Sequence, residues 1–95
     1  MRSRSRDSGG KLDGRRGEIA ILAEILRLAE NGAGQTKIMY GCNLSYQGMR
    51  TYLQSLQKTG LVRVTRTSSG AQFTTTAKGK SLLSCLETAL DLLQQ

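Results

Sequence analysis

Apolar positions recur with a helical period from Ile19 to Leu56, alternate with polar ones from Val62 to Phe73, and become helical again from Ala77 to Leu93. That order predicts helices, then a β-hairpin, then a closing helix. The best-bounded stretch is LSYQGMRTYLQSLQKTG, from Leu44 to Gly60. Ser45 can accept a hydrogen bond from an orphan N–H at its entry, and Gly60 can take the left-handed conformation at its exit. A helix of roughly four turns lies between them. At about 100° per residue, Met49, Leu53 and Leu56 fall on one stripe with Tyr52 packing beside it, while Gln47, Arg50, Thr51, Gln54 and Lys58 fall on the other side. The second face has donors, acceptors and cations without a carboxylate, which suits a base-pair edge and its flanking phosphates.

Upstream, a first helix is expected to begin between Gly14 and Glu18 and to end at Glu30, with Asn31-Gly32-Ala33-Gly34 as its stop. Ile19, Leu22, Leu26 and Ala29 make its core stripe, and Ile21, Ile25 and Leu28 widen the apolar arc, so this helix is buried on two sides or meets another subunit. Gln35 to Cys42 reads as a short helix with Ile38 and Met39 inward and Gly41 near its end. Two short helices joined by a short turn, the second polar and basic outside, have the layout of a helix-turn-helix. After Gly60, Val62 and Val64 alternate with Arg63, Thr67-Ser68-Ser69-Gly70 supply a turn, and Gln72 to Thr75 form a second β-rich run. The inner face of this hairpin is assigned to Val62, Val64 and Phe73, with Arg63 and Arg66 outward or near the tip. A basic hairpin directly after a recognition-type helix is a wing.

From Thr76 onward the pattern is helical, with Thr75 or Thr76 as its cap. Two heptad-like seams run side by side: Leu82, Cys85, Ala89 and Leu92 in one, and Leu83, Leu86, Leu90 and Leu93 in the other. A single small domain needs one seam, so the second, assigned to Leu83, Leu86, Leu90 and Leu93, is expected to meet the same helix of another copy.

Charge sharpens this picture. The net charge is +7, and the acidic residues are Asp7, Asp13, Glu18, Glu24, Glu30, Glu87 and Asp91, with none between Asn31 and Leu86. That interval holds Lys37, Arg50, Lys58, Arg63, Arg66, Lys78 and Lys80. Soluble surfaces ordinarily mix both signs, so a carboxylate-free middle points to a partner carrying phosphates. Residues 1–13, with alternating Arg and Ser, are expected to be a disordered basic tail.

The other compositional features bound the function. With 95 residues the chain is one domain, marginal enough that an oligomer would add useful burial. No apolar run is long enough for a bilayer, and the amino end lacks a signal-peptide core, so the protein is expected to stay inside the cell, in the cytoplasm. Cys42 and Cys85 are read as reduced thiols in small apolar roles. The chain has no His, neither Cys has an activating partner, and no carboxylate pair converges, so no enzymatic activity, metal or cofactor is expected.

The strings Thr36-Lys37-Ile38-Met39-Tyr40-Gly41 and Asn43-Leu44-Ser45-Tyr46, followed by Tyr52-Leu53, Leu56, Gly60-Leu61-Val62 and Phe73, and then Thr76, Lys78-Gly79 and Leu82-Leu83, resemble the archaeal winged helix-turn-helix domain family. The resemblance spans residues 15 to 93 or so. It implies an α+β, mainly α fold: three helices, a two-stranded wing and a C-terminal dimerisation helix. A winged domain is expected over 14–76 and the dimerisation helix over 77–95. It further implies a homodimer that binds double-stranded DNA through the helix from Ser45 and the wing, as a transcriptional regulator or chromatin-associated protein. Gln47, Arg50, Thr51 and Gln54 are candidates for base edges, with Arg50 suited to guanine. Lys37, Tyr46, Lys58, Arg63, Arg66 and Lys78 are candidates for phosphates or the minor groove. The alternative is a winged-helix protein-docking module in which nucleic-acid binding is incidental. Relative to the family pattern, the last helix is short and the Arg-Ser tail is an addition.

Overall fold

A computed structural model describes residues 17–93 of the chain; the Arg-Ser tail expected over 1–13 lies outside them. The elements run α1 (Glu18–Leu28), β1 (Ala33–Gly34), α2 (Gln35–Gly41), α3 (Tyr46–Lys58), β2 (Val62–Thr67), β3 (Gly70–Thr75) and α4 (Ala77–Leu93). Four helices and a small antiparallel sheet give the expected mainly helical α+β architecture. Among the described residues no helix is long and apolar enough to cross a membrane.

The core forms where the apolar faces of α1, α2 and α3 meet the inner face of the sheet. Ile25, Leu26, Ile38, Cys42 and Met49 are its largest fully buried side chains, with Leu53, Leu56, Val62, Phe73 and Leu83 around them. In α1 the buried residues are Ala23, Ile25, Leu26 and the following Ala29, whereas Ile19 is 42% exposed. The stripe is therefore rotated from the expected one, because α1 packs against both α2 and α4. Cys42 is buried in the core and forms no disulfide, whereas Cys85 is exposed, so a small apolar core role does not hold for it.

Local chemistry sets the element ends. Ser45 caps α3, its Oγ accepting from the Gly48 N–H at 3.0 Å, the entry role expected of it. Gly60 follows α3 with φ +79°, the left-handed geometry expected there. Thr76 takes the corresponding place before α4: its Oγ1 accepts from the Gly79 N–H at 3.1 Å and donates to the Gly60 carbonyl at 2.8 Å.

The sheet order is β1-β3-β2. Its first strand is two residues long, Ala33 pairing with Phe73 and Gly34 with Gln72, in what the sequence presents only as a helix stop. β2 and β3 form the hairpin, with Val62 opposite Thr75, Val64 opposite Phe73 and Arg66 opposite Ala71. Since alternate residues share a face, Arg66 stands on the same side as the core residues Val62 and Val64. Of the two placements expected for it, Arg66 takes the one near the tip, one pair from Thr67 and Gly70, while Arg63, opposite Thr74, faces outward.

α4 also departs from expectation. Leu83 is only 4% exposed, and Leu86 and Leu90 pack against the same core, whereas Leu92 and Leu93 are 66% and 69% exposed. The row containing Leu83, Leu86 and Leu90 thus lies on the chain's own domain, against α1, and of the four residues assigned to a partner only Leu93 is open. The apolar surface left open on α4 is the neighbouring flank of Cys85 and Leu92, with Ala89 half-buried between them.

Candidate nucleic-acid interface

The face that the sequence assigns to nucleic acid is built by α3 and the hairpin. With Met49, Leu53 and Leu56 turned into the core, helical geometry sets Gln47, Thr51, Gln54 and Lys58 in the row furthest from it, all exposed. Thr51 Oγ1 donates to the Gln47 carbonyl at 3.0 Å, so its methyl group is turned away from that bond. No carboxylate occurs on α2, α3 or the hairpin.

Arg50 is one step round α3 from this row, on the flank facing the hairpin. Its guanidinium lies 5.9 Å from the centre of the Tyr46 ring, and its Nη1 donates to the Tyr46 hydroxyl at 3.4 Å. A cation over an aromatic face one helical turn away is held in a narrower range of rotamers than a free arginine. Tyr46, 53% exposed, therefore orients its neighbour. Tyr52 is half-buried against the core, as expected.

Between α3 and the hairpin runs a groove of about 310 Å³. Its floor is Leu53, Val64, Ala71 and Phe73; its rim is Arg50, Gln54 and Gln57 from α3, Arg66 from β2 and Gln35 from the start of α2. A second hollow, of about 320 Å³, continues past Arg66 to the wing tip at Ser69 and Gly70. Gln35 and Gln57 had no signal in the sequence. Their place on the rim depends on how the sheet lies against α3, which no local pattern encodes.

The remaining candidates separate. Lys37 is exposed on α2 and Lys58 on the last turn of α3. Arg63 stands on the outer face of the hairpin, away from the groove. Lys78 is engaged within the fold: its ammonium donates to the Thr59 carbonyl at 2.8 Å, closing the C-terminal end of α3, where a cation also meets the negative end of the helix dipole. Among the described residues, Lys37, Lys58, Arg63 and Arg66 have no ion-pair partner.

Residues 15–94 match a family model described as winged helix-turn-helix. No curated protein matches the sequence. Among solved structures, the DNA-binding protein Sso10a-2 of Sulfolobus solfataricus is similar with a TM-score of 0.79 at 29% identity, over 83% of each chain. The transcriptional regulator BldR of the same organism matches with a TM-score of 0.71 at 21% identity, over 77% of this chain and 55% of that one. BpsR of Bordetella bronchiseptica matches at 0.70 and 14% identity, over 87% and 61%; at these lower identities the likeness is one of fold.

Proposed function

The chain belongs to the winged helix-turn-helix family, and we propose that it binds duplex DNA as a homodimer, as a transcriptional regulator or a nucleoid-associated protein. The observation that carries this reading is the face of α3 and the hairpin. It joins an outward row of amides and a hydroxyl, at Gln47, Thr51 and Gln54, to cations that no carboxylate of the described residues neutralises. The row meets base edges in the major groove, and Lys58, Lys37 and Arg63 meet phosphates on either side. The similarity to an archaeal DNA-binding protein supports the same reading.

The dimer is joined through α4. Leu92 and Leu93 are too exposed for a lone domain to leave bare without cost, and with Cys85 and Ala89 they make a continuous apolar flank. The row expected from sequence, Leu83, Leu86, Leu90 and Leu93, contributes to this contact mainly through Leu93.

The test is the affinity for random-sequence duplex across a salt series. Log affinity is expected to fall with log salt by a slope corresponding to roughly four to eight phosphate contacts per dimer. A flat dependence would identify the module as one that docks protein.

A further inference from the structure

We propose that the groove between α3 and the hairpin is a seat for one backbone phosphate of DNA, gripped from two sides by Arg50 and Arg66. Arg66 owes its place to register. It occupies the inward-facing slot of β2 after Val62 and Val64, at the point where the core has ended and α3 no longer covers the strand. Arg50 reaches the same groove from α3. Both side chains are exposed on this rim, and two guanidiniums around one hollow repel each other. An anion between them offsets that repulsion.

The rest of the rim fits that anion. Among the described residues, Arg66, Gln35, Gln54 and Gln57 have no side-chain hydrogen-bond or ion-pair partner, and Arg50 spends one long bond on Tyr46. Amide N–H groups and planar guanidinium forks match the paired non-bridging oxygens of a phosphodiester. The floor of Leu53 and Phe73 is apolar and nearly closed to water, so a charge held over it is screened less than one on open surface. A strand whose bases meet Gln47 and Thr51 passes the mouth of this groove on the wing side. The assignment makes Arg50 a backbone ligand and leaves base reading to the outer row, in place of the guanine contact expected from sequence.

This inference rests on the DNA-binding reading, and the experiment separates the two. Arg50→Ala, Arg66→Ala, the double variant and Arg63→Ala are titrated by fluorescence anisotropy against a selected site and random duplex over a salt series. Circular dichroism checks the fold, which these exposed positions should leave intact. Each groove variant is expected to weaken both duplexes alike, by about ten- to a hundredfold. The double variant should lose less than the product of the single losses, because the two side chains share one ligand. Arg63→Ala should combine with either by simple multiplication. Multiplicative losses for Arg50 and Arg66, or a loss at Arg50 confined to one base position, would overturn the seat while leaving DNA binding standing. Inorganic phosphate added at matched ionic strength serves as the free-anion arm. Displacement of duplex beyond that by chloride, abolished in the double variant, supports the seat. Phosphate bound by a chain that binds no duplex would overturn both readings in favour of a small-anion site.

Discussion

At the scale of single residues, the close contacts that set the fold are made by small side chains. Gly79 is buried in the first turn of α4, and a Cβ there would fall on the Leu61 carbonyl oxygen and within 2.7 Å of Thr75 Cγ2. Backbone cannot yield as a side-chain tip can, so Gly79→Ala is expected to destabilise the domain by about 1–3 kcal/mol or more, measured by urea unfolding. Thr75 is the one buried polar residue among those described. Its Oγ1 donates to the Leu26 carbonyl at 2.7 Å and its N–H to the Ala29 carbonyl at 2.9 Å, satisfying two carbonyls at the end of α1. Thr75→Val keeps the shape and removes the first bond, with an expected cost of about 1–3 kcal/mol. Thr88→Val, which removes an exposed bond to the Ser84 carbonyl within α4, should stay within about 0.5 kcal/mol; equal losses would show that burial of the Leu26 carbonyl is not the cause. The sequence displayed Gly79 in a family-like string but not its reason, since the oxygen it must clear belongs to the turn after α3. The face that Arg66 takes was hidden for a related cause. An arginine reads as outward on composition, and only the continuation of β2 through Thr67 fixes its parity.

At the scale of elements, the helices of the domain were legible because caps and periodicity agree: Ser45, Gly60 and Thr76 stand where the residue types require. β1 was not legible. Ala33 and Gly34 carry no strand propensity and are extended only because β3 offers a free edge beside them. Nor was it legible which seam of α4 faces inward, as both are leucine-rich and the position of α1 decides between them. The two rows now carry opposite expectations. Leu83→Ala opens a cavity in the core and should cost about 2–5 kcal/mol in unfolding. Replacing Ala89, Leu92 and Leu93 together by Gln should leave helical content unchanged by circular dichroism and convert dimer to monomer in sedimentation equilibrium. Unfolding of the triple variant would instead place that flank in the intrachain core.

At the scale of the whole molecule, charge is sorted between two sides. The described carboxylates lie on α1, in the later turns of α4, or at Glu30 just beyond α1, whereas the unpaired cations lie on α2, α3, the hairpin and, at Lys80, the first turn of α4. On the acidic side, the Arg27 side chain pairs with Glu87 at 3.1 Å, both about half exposed. A pair so open to water adds little stability, but it cancels one cation remote from the proposed DNA face. Dimerisation through α4 would leave that face outward in both copies, related by a two-fold axis. Affinity and salt dependence then depend on assembly as well as on contact residues. The uncharged triple Gln variant tests this without altering the electrostatics of either face. If both copies engage one duplex, the monomer should show about half the wild-type slope of log affinity against log salt, because half the phosphates are neutralised per bound molecule. Its affinity should fall more steeply than the slope alone accounts for, since the second face loses the effective concentration that tethering provides. A monomeric variant with the full wild-type slope would mean that a single copy makes all the phosphate contacts, and the dimer would then be a device for bridging two duplexes.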